Sequence, residues 1–264
     1  MFVAGVDVGS VTTEALILND RREILAYWIQ NTGADVQKAS STALQKALEA
    51  AGCSQPDIAC CISTGYGRKK VEVADSNITE ISCHAVGAAF LFPKTRTIID
   101  IGGQDSKVIQ IDRTGKVINF LMNDKCAAGT GRFLEVMAKA LEVELDEMGP
   151  LSLKNHVVLP ISNVCTVFAE SEVISLLAEG HPREDVLAGI HSAIARKVLS
   201  LAGRQGIREE VTMTGGVAKN KGVVEALRVV LKMGINVPPE PQIIGALGAA
   251  LKALDLATGK GVSP

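Results

Sequence analysis

The chain has 264 residues, a formal net charge of −2 and a hydrophobic fraction of 47%. This length suffices for two modest hydrophobic cores, and the composition is typical of a globular protein rather than a disordered one. The weak charge gives no indication of nucleic acid or an anionic membrane as a partner. No apolar run reaches the roughly 18 residues of a membrane span, and no signal peptide is visible. We therefore expect a cytoplasmic protein whose six cysteines are reduced thiols or metal ligands.

Alternating apolar and β-branched residues predict an antiparallel meander near the N-terminus. Its strands are expected near 2–8, 12–18 and 23–30, followed by a helix over 36–51, a strand over 58–63 and a helix over 84–91. A second series of strands is predicted near 96–101, 106–112 and 116–121. Helices near 130–142, 166–179 and 183–205, a strand over 210–213, and helices over 219–232 and 243–257 complete the chain.

Two acidic turns that contain glycine are the most informative pattern. Asp7-Val8-Gly9-Ser10 and Asp100-Ile101-Gly102-Gly103 each lie between two predicted strands. Glycine lets backbone N–H groups approach a phosphate, and Mg²⁺ prefers carboxylate and phosphate oxygens. The duplication predicts two similar halves, residues 1–95 and 96–242, around a nucleotide-binding cleft. The last helix, 243–260, is expected to pack back on the first half.

The nucleotide signal is not a P-loop or a Rossmann glycine pattern, because neither spacing is present. A third motif, a strand that runs into Thr214-Gly215-Gly216-Val217, accompanies the two acidic turns. The three together resemble the phosphate-1, phosphate-2 and adenosine motifs of the actin, hexokinase and Hsp70 superfamily. That resemblance implies an α/β fold with duplicated mixed sheets flanked by helices.

The same resemblance implies roles for individual residues. Asp7 and Asp100 would hold Mg²⁺, and Gln104 or Asp105 would orient the attacking water, a choice that the residues leave open. The phosphates would be contacted by Gly9, Ser10, Val11, Thr12, Gly102 and Gly103. The adenosine would be contacted by Gly215, Gly216 and Val217.

Cys126 and Cys165 differ from the other cysteines. Cys53, Cys60, Cys61 and Cys83 lie in or beside apolar runs, where a small buried hydrophobe is expected. Cys126 precedes a helix start and Cys165 lies at another, and helix N-termini favour thiolates. The residues alone support a cluster ligand and a structural cysteine about equally. Two thiolates are half of what a cubane cluster usually takes, but a two-fold dimer would supply four.

Two cysteine motifs carry a family resemblance. The runs 122–133 (Met-Asn-Asp-Lys-Cys-Ala-Ala-Gly-Thr-Gly-Arg-Phe) and 165–174 (Cys-Thr-Val-Phe-Ala-Glu-Ser-Glu-Val-Ile) resemble the BadF/BadG/BcrA/BcrD-type ATPases. This family includes the activators (component A) of 2-hydroxyacyl-CoA dehydratases and the electron-activating ATPase subunits of benzoyl-CoA reductase. Thr64-Gly65-Tyr66-Gly67-Arg68 resembles it as well, and the similarity covers nearly the whole chain.

The family resemblance implies an ATP-dependent iron–sulfur reductase that injects a low-potential electron into a CoA-ester enzyme. Cys126 and Cys165 would be ligands of one [4Fe–4S] cluster shared across a homodimer, or a heterodimer with a close homologue. ATP or ADP would bind with Mg²⁺, with further contacts from Gly129, Thr130 and Gly131. A ferredoxin or flavodoxin would donate the electron. The acceptor would be a 2-hydroxyacyl-CoA dehydratase, a benzoyl-CoA reductase core or a double-cubane cluster protein.

One position departs from the family pattern, since many members have lysine where this chain has Glu14. The departure weakens assignment to any one subgroup. A small-molecule kinase of the same superfamily, with Asp105 as its catalytic acid, and a nucleotide switch or filament protein remain as alternatives. Neither would use iron. Among the histidines, His84 is expected at a helix start, and His191 shows no partner pattern.

Overall fold

The computed structural model describes residues 1–162 and 165–259, without the side chain of Arg204. The strands are β1 (Phe2–Val8), β2 (Thr12–Asn19), β3 (Ile24–Asn31), β4 (Ile58–Thr64), β5 (Ser76–Asn77), β6 (Thr97–Ile101), β7 (Ser106–Ile111), β8 (Val117–Asn123), β9 (Val211–Thr214) and β10 (Ile235–Asn236). The helices are α1 (Val36–Ala51), α2 (Glu80–Leu91), α3 (Gly131–Leu141), α4 (Met148–Ser152), α5 (Thr166–Ala178), α6 (Arg183–Ala202), α7 (Lys221–Leu231) and α8 (Ile244–Ala257). Within the described part of the chain, every helix is too short or too polar to cross a membrane.

The chain divides into two compact units. The first unit contains Met1–Lys94, Ile111–Ile118 and the segment from Glu240 onward. The second unit contains Thr95–Gln110 and Asn119–Pro239. The described residues form two five-stranded sheets, in the orders β3-β2-β1-β4-β5 and β10-β9-β6-β7-β8.

The first sheet is mixed. β1 pairs antiparallel with β2, and β2 pairs antiparallel with β3, so the predicted meander is confirmed. On its other edge β1 pairs parallel with β4, which places Asp7 beside Thr64. β1 and β2 are buried almost throughout, as is typical of central strands covered on both faces.

Helix α8 packs against β1, β4 and α2 in the first unit. Most of its residues are apolar and buried, as is typical of a core helix, and Lys252 and Asp255 are its charged residues. Glycine permits the close approach: a Cβ at Gly5 would overlap the backbone of Ala246, and one at Gly248 would overlap the carbonyl oxygen of Cys83. The helix ends at Ala257, and residue 260, where the predicted segment ended, lies outside the described residues.

The second sheet repeats the arrangement of the first. β6 pairs antiparallel with β7 and parallel with β9, so Asp100 lies opposite Lys107 on one side and beside Thr214 on the other. A large core of aliphatic residues, with Phe133 and Met137, lies in this unit between the sheet and its helices.

Some predicted boundaries were wrong. Helix α2 begins at Glu80, because Thr79 caps it by accepting a hydrogen bond from the N–H of Ser82. His84 is therefore not at a helix start but one turn inside the helix, where it is buried. The helix predicted to end at 205 ends at Ala202. The two-residue strands β5 and β10 and the five-residue helix α4 were not predicted, since segments this short carry no detectable periodicity.

Substitution of Gly248 by alanine is expected to destabilise the protein. The gain in helix propensity is roughly 1 kcal/mol. The new methyl group would overlap a backbone carbonyl that cannot rotate away, so we expect a net loss of about 2 kcal/mol in the free energy of unfolding. Chemical denaturation of Gly248→Ala measures this loss. Gly234→Ala is the control, since a Cβ there meets nothing within 4 Å. Equal stability of the two variants would contradict the close packing.

Candidate nucleotide site and cysteine segments

In the first unit, Asp7 is buried at the end of β1, next to a glycine in the left-handed region. Gly65 has φ +86°, and a Cβ there would overlap Oδ1 of Asp7. A Cβ at Gly245 would overlap Oδ2 of the same carboxylate. Gly245 lies in the first turn of α8, where the partial positive charge of the helix N-terminus favours a carboxylate. His84 Nε2 lies 3.9 Å from Asp7 Oδ2.

In the second unit, Asp100 holds the equivalent position at the end of β6, where it forms a hydrogen bond with Thr214 and an ion pair with Lys107. Thr214 Oγ1 donates a hydrogen bond of 2.9 Å to its Oδ1, and Lys107 Nζ lies 3.2 Å from its Oδ2. Gly215 has φ +84°, and a Cβ there would come within 2.9 Å of Asp100 Oδ1. The second acidic turn and the adenosine motif, separated by more than a hundred residues in sequence, thus meet at adjacent strand ends.

The two units share a Thr-Gly pair that the sequence analysis did not connect. Thr64 ends β4 and Thr214 ends β9, and the glycine that follows each threonine lies against the acid of the parallel neighbour. The signal was present as the shared dipeptide. It was missed because the spacing from acid to dipeptide differs between the halves, where the second half carries the inserted helices α3 to α6.

The two units differ in the charge of the residue that lies opposite Asp7 or Asp100 on the antiparallel neighbouring strand. Glu14 lies opposite Asp7 and is buried, whereas Lys107 lies opposite Asp100. Lys107 Nζ also contacts Asp105 Oδ2 at 2.7 Å. Burial alone would lower the pKa of Lys107, but the carboxylates of Asp100 and Asp105 outweigh it and raise that pKa above its ordinary value. The lysine stays charged and holds both acids.

The two acidic turns are closed by their own backbone. The N–H of Gly9 donates to the carbonyl of Thr12 at 2.9 Å, and the N–H of Gly102 donates to the carbonyl of Asp105 at 3.0 Å. These two N–H groups are therefore engaged inside the turns. Ser10 and Gln104, one and two positions further on, are exposed at the turn tips.

The segment that contains Cys126 is tied to the second acidic turn. The N–H groups of Gly131 and Arg132, at the start of α3, donate to the carbonyls of Gly102 and Gly103 at 2.9 and 2.8 Å. Thr130 Oγ1 donates to the carbonyl of Ala127 at 2.7 Å, which folds the segment back. The predicted nucleotide contacts at 129–131 therefore lie directly beside the predicted phosphate turn.

Cys165 is the N-cap residue of α5, as predicted for a helix start. It is half-buried, and the carbonyl of Cys165 accepts a hydrogen bond from the N–H of Ala169 at 3.0 Å. Upstream, the N–H of Ser162 donates to Glu172 Oε2 at 2.8 Å, so Glu172 ties the incoming chain to α5. Over residues 1–162 and 165–259, no three His, Cys, Asp or Glu side chains come together as a metal-binding group.

Three of the other four cysteines are buried, as predicted. Cys60, Cys61 and Cys83 are buried, and Cys53 is half-buried. Burial raises the pKa of the Cys61 and Cys83 thiols to about 12 each, which keeps them protonated. They are structural hydrophobes of the first unit.

A buried polar chain supports the segment that follows the adenosine motif. Asn220 caps α7, and its Oδ1 accepts from the N–H groups of Gly222 and Val223. Its Nδ2 lies 3.2 Å from His191 Nε2. His191 Nδ1 lies 2.9 Å from Ser152 Oγ, which donates to the carbonyl of Gly149. His191 therefore has two partners that its sequence pattern did not reveal.

These partners determine the tautomer of His191. The amide Nδ2 of Asn220 can only donate, so His191 Nε2 accepts and Nδ1 carries the proton. Ser152 Oγ accepts a hydrogen bond from Nδ1 and donates one to the carbonyl of Gly149. Burial lowers the pKa of His191 to about 3, so the ring is neutral at physiological pH.

The comparisons with known proteins agree with this geometry. The model of the BadF/BadG/BcrA/BcrD ATPase family matches residues 4–253, and the chain belongs to this family. The activator of lactoyl-CoA dehydratase from Anaerotignum propionicum is 51% identical over 260 residues, 98% of this chain and 100% of that protein. One of the subunits of benzoyl-CoA reductase from Thauera aromatica is 32% identical over 259 residues, 94% of this chain and 91% of that protein.

Solved structures confirm the predicted fold. The activator of the 2-hydroxyisocaproyl-CoA dehydratase from Clostridium difficile with bound ADPNP superposes with a TM-score of 0.93 at 47% identity, covering 100% of both chains. A ROK family glucokinase from Streptomyces griseus superposes with a TM-score of 0.58 at 14% identity, covering 96% of this chain and 99% of that one. The second likeness shows the shared fold alone, which is the actin, hexokinase and Hsp70 type.

We expect His191 to make stability depend on pH. Its pKa is about 3 in the folded protein and about 6.5 when unfolded, so the unfolded state binds the extra proton. Stability from this residue is complete above pH ~6.5 and falls by about 1.4 kcal/mol per pH unit as the pH drops toward 3.

Urea denaturation at several pH values tests this expectation. Paired carboxylates titrate in the same range, so the quantity to compare is the slope of the free energy of unfolding against pH in wild type and in His191→Gln. The variant should have the shallower slope between pH 6 and 4. Parallel slopes would show that His191 is not held neutral.

Proposed function

We propose that this chain is an ATP-dependent electron-transfer activator of a CoA-ester enzyme, most closely of a 2-hydroxyacyl-CoA dehydratase. The relative at 51% identity and the ADPNP-bound relative at 47% identity both carry activator names. One observation in this chain supports the proposal above all. The backbone that leads from Cys126 into α3 is hydrogen-bonded to Gly102 and Gly103, so a cysteine segment and a phosphate turn form one local structure.

ATP binding in this proposal uses both acidic turns. Asp7 and Asp100 hold Mg²⁺ directly or through water, since carboxylate oxygens suit this ion. Because Gly9 and Gly102 donate their N–H groups inside the turns, we assign the phosphate contacts to the next residues, Ser10 and Val11 in one turn and Gly103 in the other. Thr12 and Gly129 to Gly131 border these contacts, and the segment Gly215 to Val217 contacts the adenosine.

The water-positioning role falls to Gln104 in this proposal. Asp105 is held by Lys107 at 2.7 Å, and its Oδ1 would lie 2.6 Å from a Cβ at Gly102. Its carboxylate is therefore occupied by the ion pair with Lys107. Gln104 is exposed at the same turn. Phosphoryl transfer needs mainly positioning and charge, which an amide and a neighbouring Mg²⁺ site supply.

The iron–sulfur cluster in this proposal is a [4Fe–4S] cube shared by two chains. Cys126 and Cys165 supply two thiolates per chain, and a homodimer, or a heterodimer with a close homologue, completes the usual four. When bound, the cluster stores one electron at low potential. Cys165 stands at the N-terminus of the thirteen-residue helix α5, whose free N–H groups and partial positive charge favour a thiolate.

The partners follow from this electron-transfer role. A ferredoxin or flavodoxin is the proposed donor, and a CoA-ester enzyme is the acceptor. Transfer of one electron to an acceptor whose potential is lower by ~300 mV requires about 7 kcal/mol, since about 59 mV corresponds to a tenfold change in the equilibrium constant. ATP binding and hydrolysis are the proposed source. The 32% identity to a chain of the Thauera aromatica benzoyl-CoA reductase supports a benzoyl-CoA reductase core as the second candidate acceptor.

A small-molecule kinase is the rival function within the same fold. It requires a free catalytic acid near the phosphate turn, for which the sequence offered Asp105. The ion pair from Lys107 to Asp105 disfavours that role, because a carboxylate oxygen held at 2.7 Å by a buried lysine is not free to contact a substrate hydroxyl. A kinase would also have no use for Cys126 and Cys165.

Iron content distinguishes the activator from its rivals. After anaerobic purification, Cys126→Ser and Cys165→Ser should each lose the iron and the brown colour, because half of a shared ligand set disappears. Cys53→Ser is the matched control, a half-buried cysteine of the first unit, and it should keep both. Asp7→Asn should keep the iron but stop ATP turnover. A Cys126→Ser protein with full cluster absorbance would contradict the ligand assignment.

ATP hydrolysis rates test the choice between Gln104 and Asp105. Gln104→Ala should lower kcat about 100-fold with little change in KM, as expected when the attacking water loses its orientation. Asp105→Asn should lower kcat less, and should also lower the thermal midpoint, since Lys107 loses one of its two carboxylates. The reverse order of the two kcat effects would return the role to Asp105.

A further inference from the structure

Helix α6 lies between the adenosine motif and the approach to Cys165. It is the longest helix among the described residues, with twenty residues from Arg183 to Ala202. It packs against α4, α5 and α7 within the second unit. Among its polar contacts, one from His191 reaches Asn220 and one from Arg196 reaches Ile161, and Asp185 also accepts from the N–H groups of His156 and Val157.

The contact from His191 reaches the nucleotide end. Asn220 follows directly after the short 3-10 turn Gly216–Lys219, which continues the adenosine motif. Asn220 Nδ2 donates to His191 Nε2, and His191 and Ser152 Oγ both face Gly222, where a Cβ would overlap them. Asn220 is therefore hydrogen-bonded to α6, and Gly222, two positions later, is packed closely against the same histidine.

The contact from Arg196 reaches the cysteine end. Arg196 Nη2 donates to the carbonyl of Ile161 at 3.1 Å, and Nη1 donates to Ser192 Oγ at 2.7 Å, which fixes the guanidinium. Gly189 permits the same approach, because a Cβ there would overlap the carbonyl of Leu159. The chain then passes to Ser162, which Glu172 binds to α5, the helix that Cys165 caps.

We propose that α6 transmits the state of the adenosine site to Cys165, with His191 and Arg196 as the positioning residues at its two ends. The inference rests on the proposed nucleotide site and adds the path by which that site affects Cys165. His191 and Arg196 are five positions apart, which is about 7.5 Å along a helix axis. Over that length a packed helix moves as one body, so a shift of Asn220 reaches the carbonyl of Ile161.

Cys126 has a separate connection, which supplies an internal control. Its segment is bound to Gly102 and Gly103 through the first N–H groups of α3, without Arg196. A Cβ at Gly129 would overlap the side chain of Lys197, so α6 also borders this segment. Removal of Arg196 should therefore affect Cys165 and spare Cys126.

The experiment measures thiol accessibility in the full-length, iron-free chain under reducing conditions. Alkylation of Cys126 and Cys165 by iodoacetamide is followed by mass spectrometry, with and without Mg-ADP, and the dissociation constant of Mg-ADP is measured on the same samples. In wild type we expect Mg-ADP to change both alkylation rates by at least about fivefold, the lower end of ordinary coupling between sites.

Arg196→Gln should reduce the effect of Mg-ADP on Cys165 to less than about twofold, while the effect on Cys126 and the nucleotide affinity stay near wild type. Arg228→Gln is the matched control, because Arg228 likewise donates to an isoleucine carbonyl, that of Ile235, but on α7. It should leave both thiol effects intact. A normal Mg-ADP effect on Cys165 in Arg196→Gln overturns the inference.

Variants of His191 test the other end. His191→Gln keeps an oxygen that accepts from Asn220, whereas His191→Asn is shorter and keeps only the donor toward Ser152. We expect the Gln variant to retain the effect on Cys165 better than the Asn variant, and equal loss in both overturns the assignment of His191. Mg-ADP that binds without changing Cys165 in wild type refutes the coupling alone, whereas failure of Mg-ADP to bind refutes the proposed function itself.

Discussion

A buried carboxylate at the end of a central strand, covered by a left-handed glycine from the parallel neighbour, is the constraint on which each unit depends. Asp7 meets Gly65 in this way, and Asp100 meets Gly215. The glycine must lack a side chain because its Cβ would occupy the space of the carboxylate or the adjacent carbonyl. The strand order and the turn that follows keep that carboxylate in place in both units, and in the first unit the start of α8 does so as well.

The two units satisfy this constraint with different charges. Lys107 forms ion pairs with both Asp100 and Asp105, so the second acidic turn is an ion-paired structure in its own right. In the first unit the opposite strand position is Glu14, and the carboxylate of Asp7 has the first turn of α8 and His84 nearby instead. The two units share this geometry, and the different residue at the cross-strand position gives the two turns different electrostatics.

The cysteine segments are local to the nucleotide motifs of the second unit. Gly131 and Arg132 join one segment to the phosphate turn, while Arg196 reaches the chain before the other. The proposed use of ATP to change the surroundings of these two thiols requires such short connections, because hydrogen bonds and packed helices transmit displacement only where they are continuous. The family relationship and this arrangement lead to the same function.

The sequence by itself determined the duplicated acidic turns, the meander and the start of a helix at Cys165, because these depend on local periodicity and on glycine and acidic residues at fixed spacing. The α/β fold class was implied by the resemblance of its three motifs to the actin, hexokinase and Hsp70 superfamily. The sequence did not reveal the partners of His191, the ion pair of Lys107 with Asp105, or the Thr-Gly pair shared by the two units. Those contacts join residues distant in sequence, and burial, helix packing and strand register decide them. Only the tertiary structure brings such groups within hydrogen-bonding distance, and there each acquires its charge state and its role.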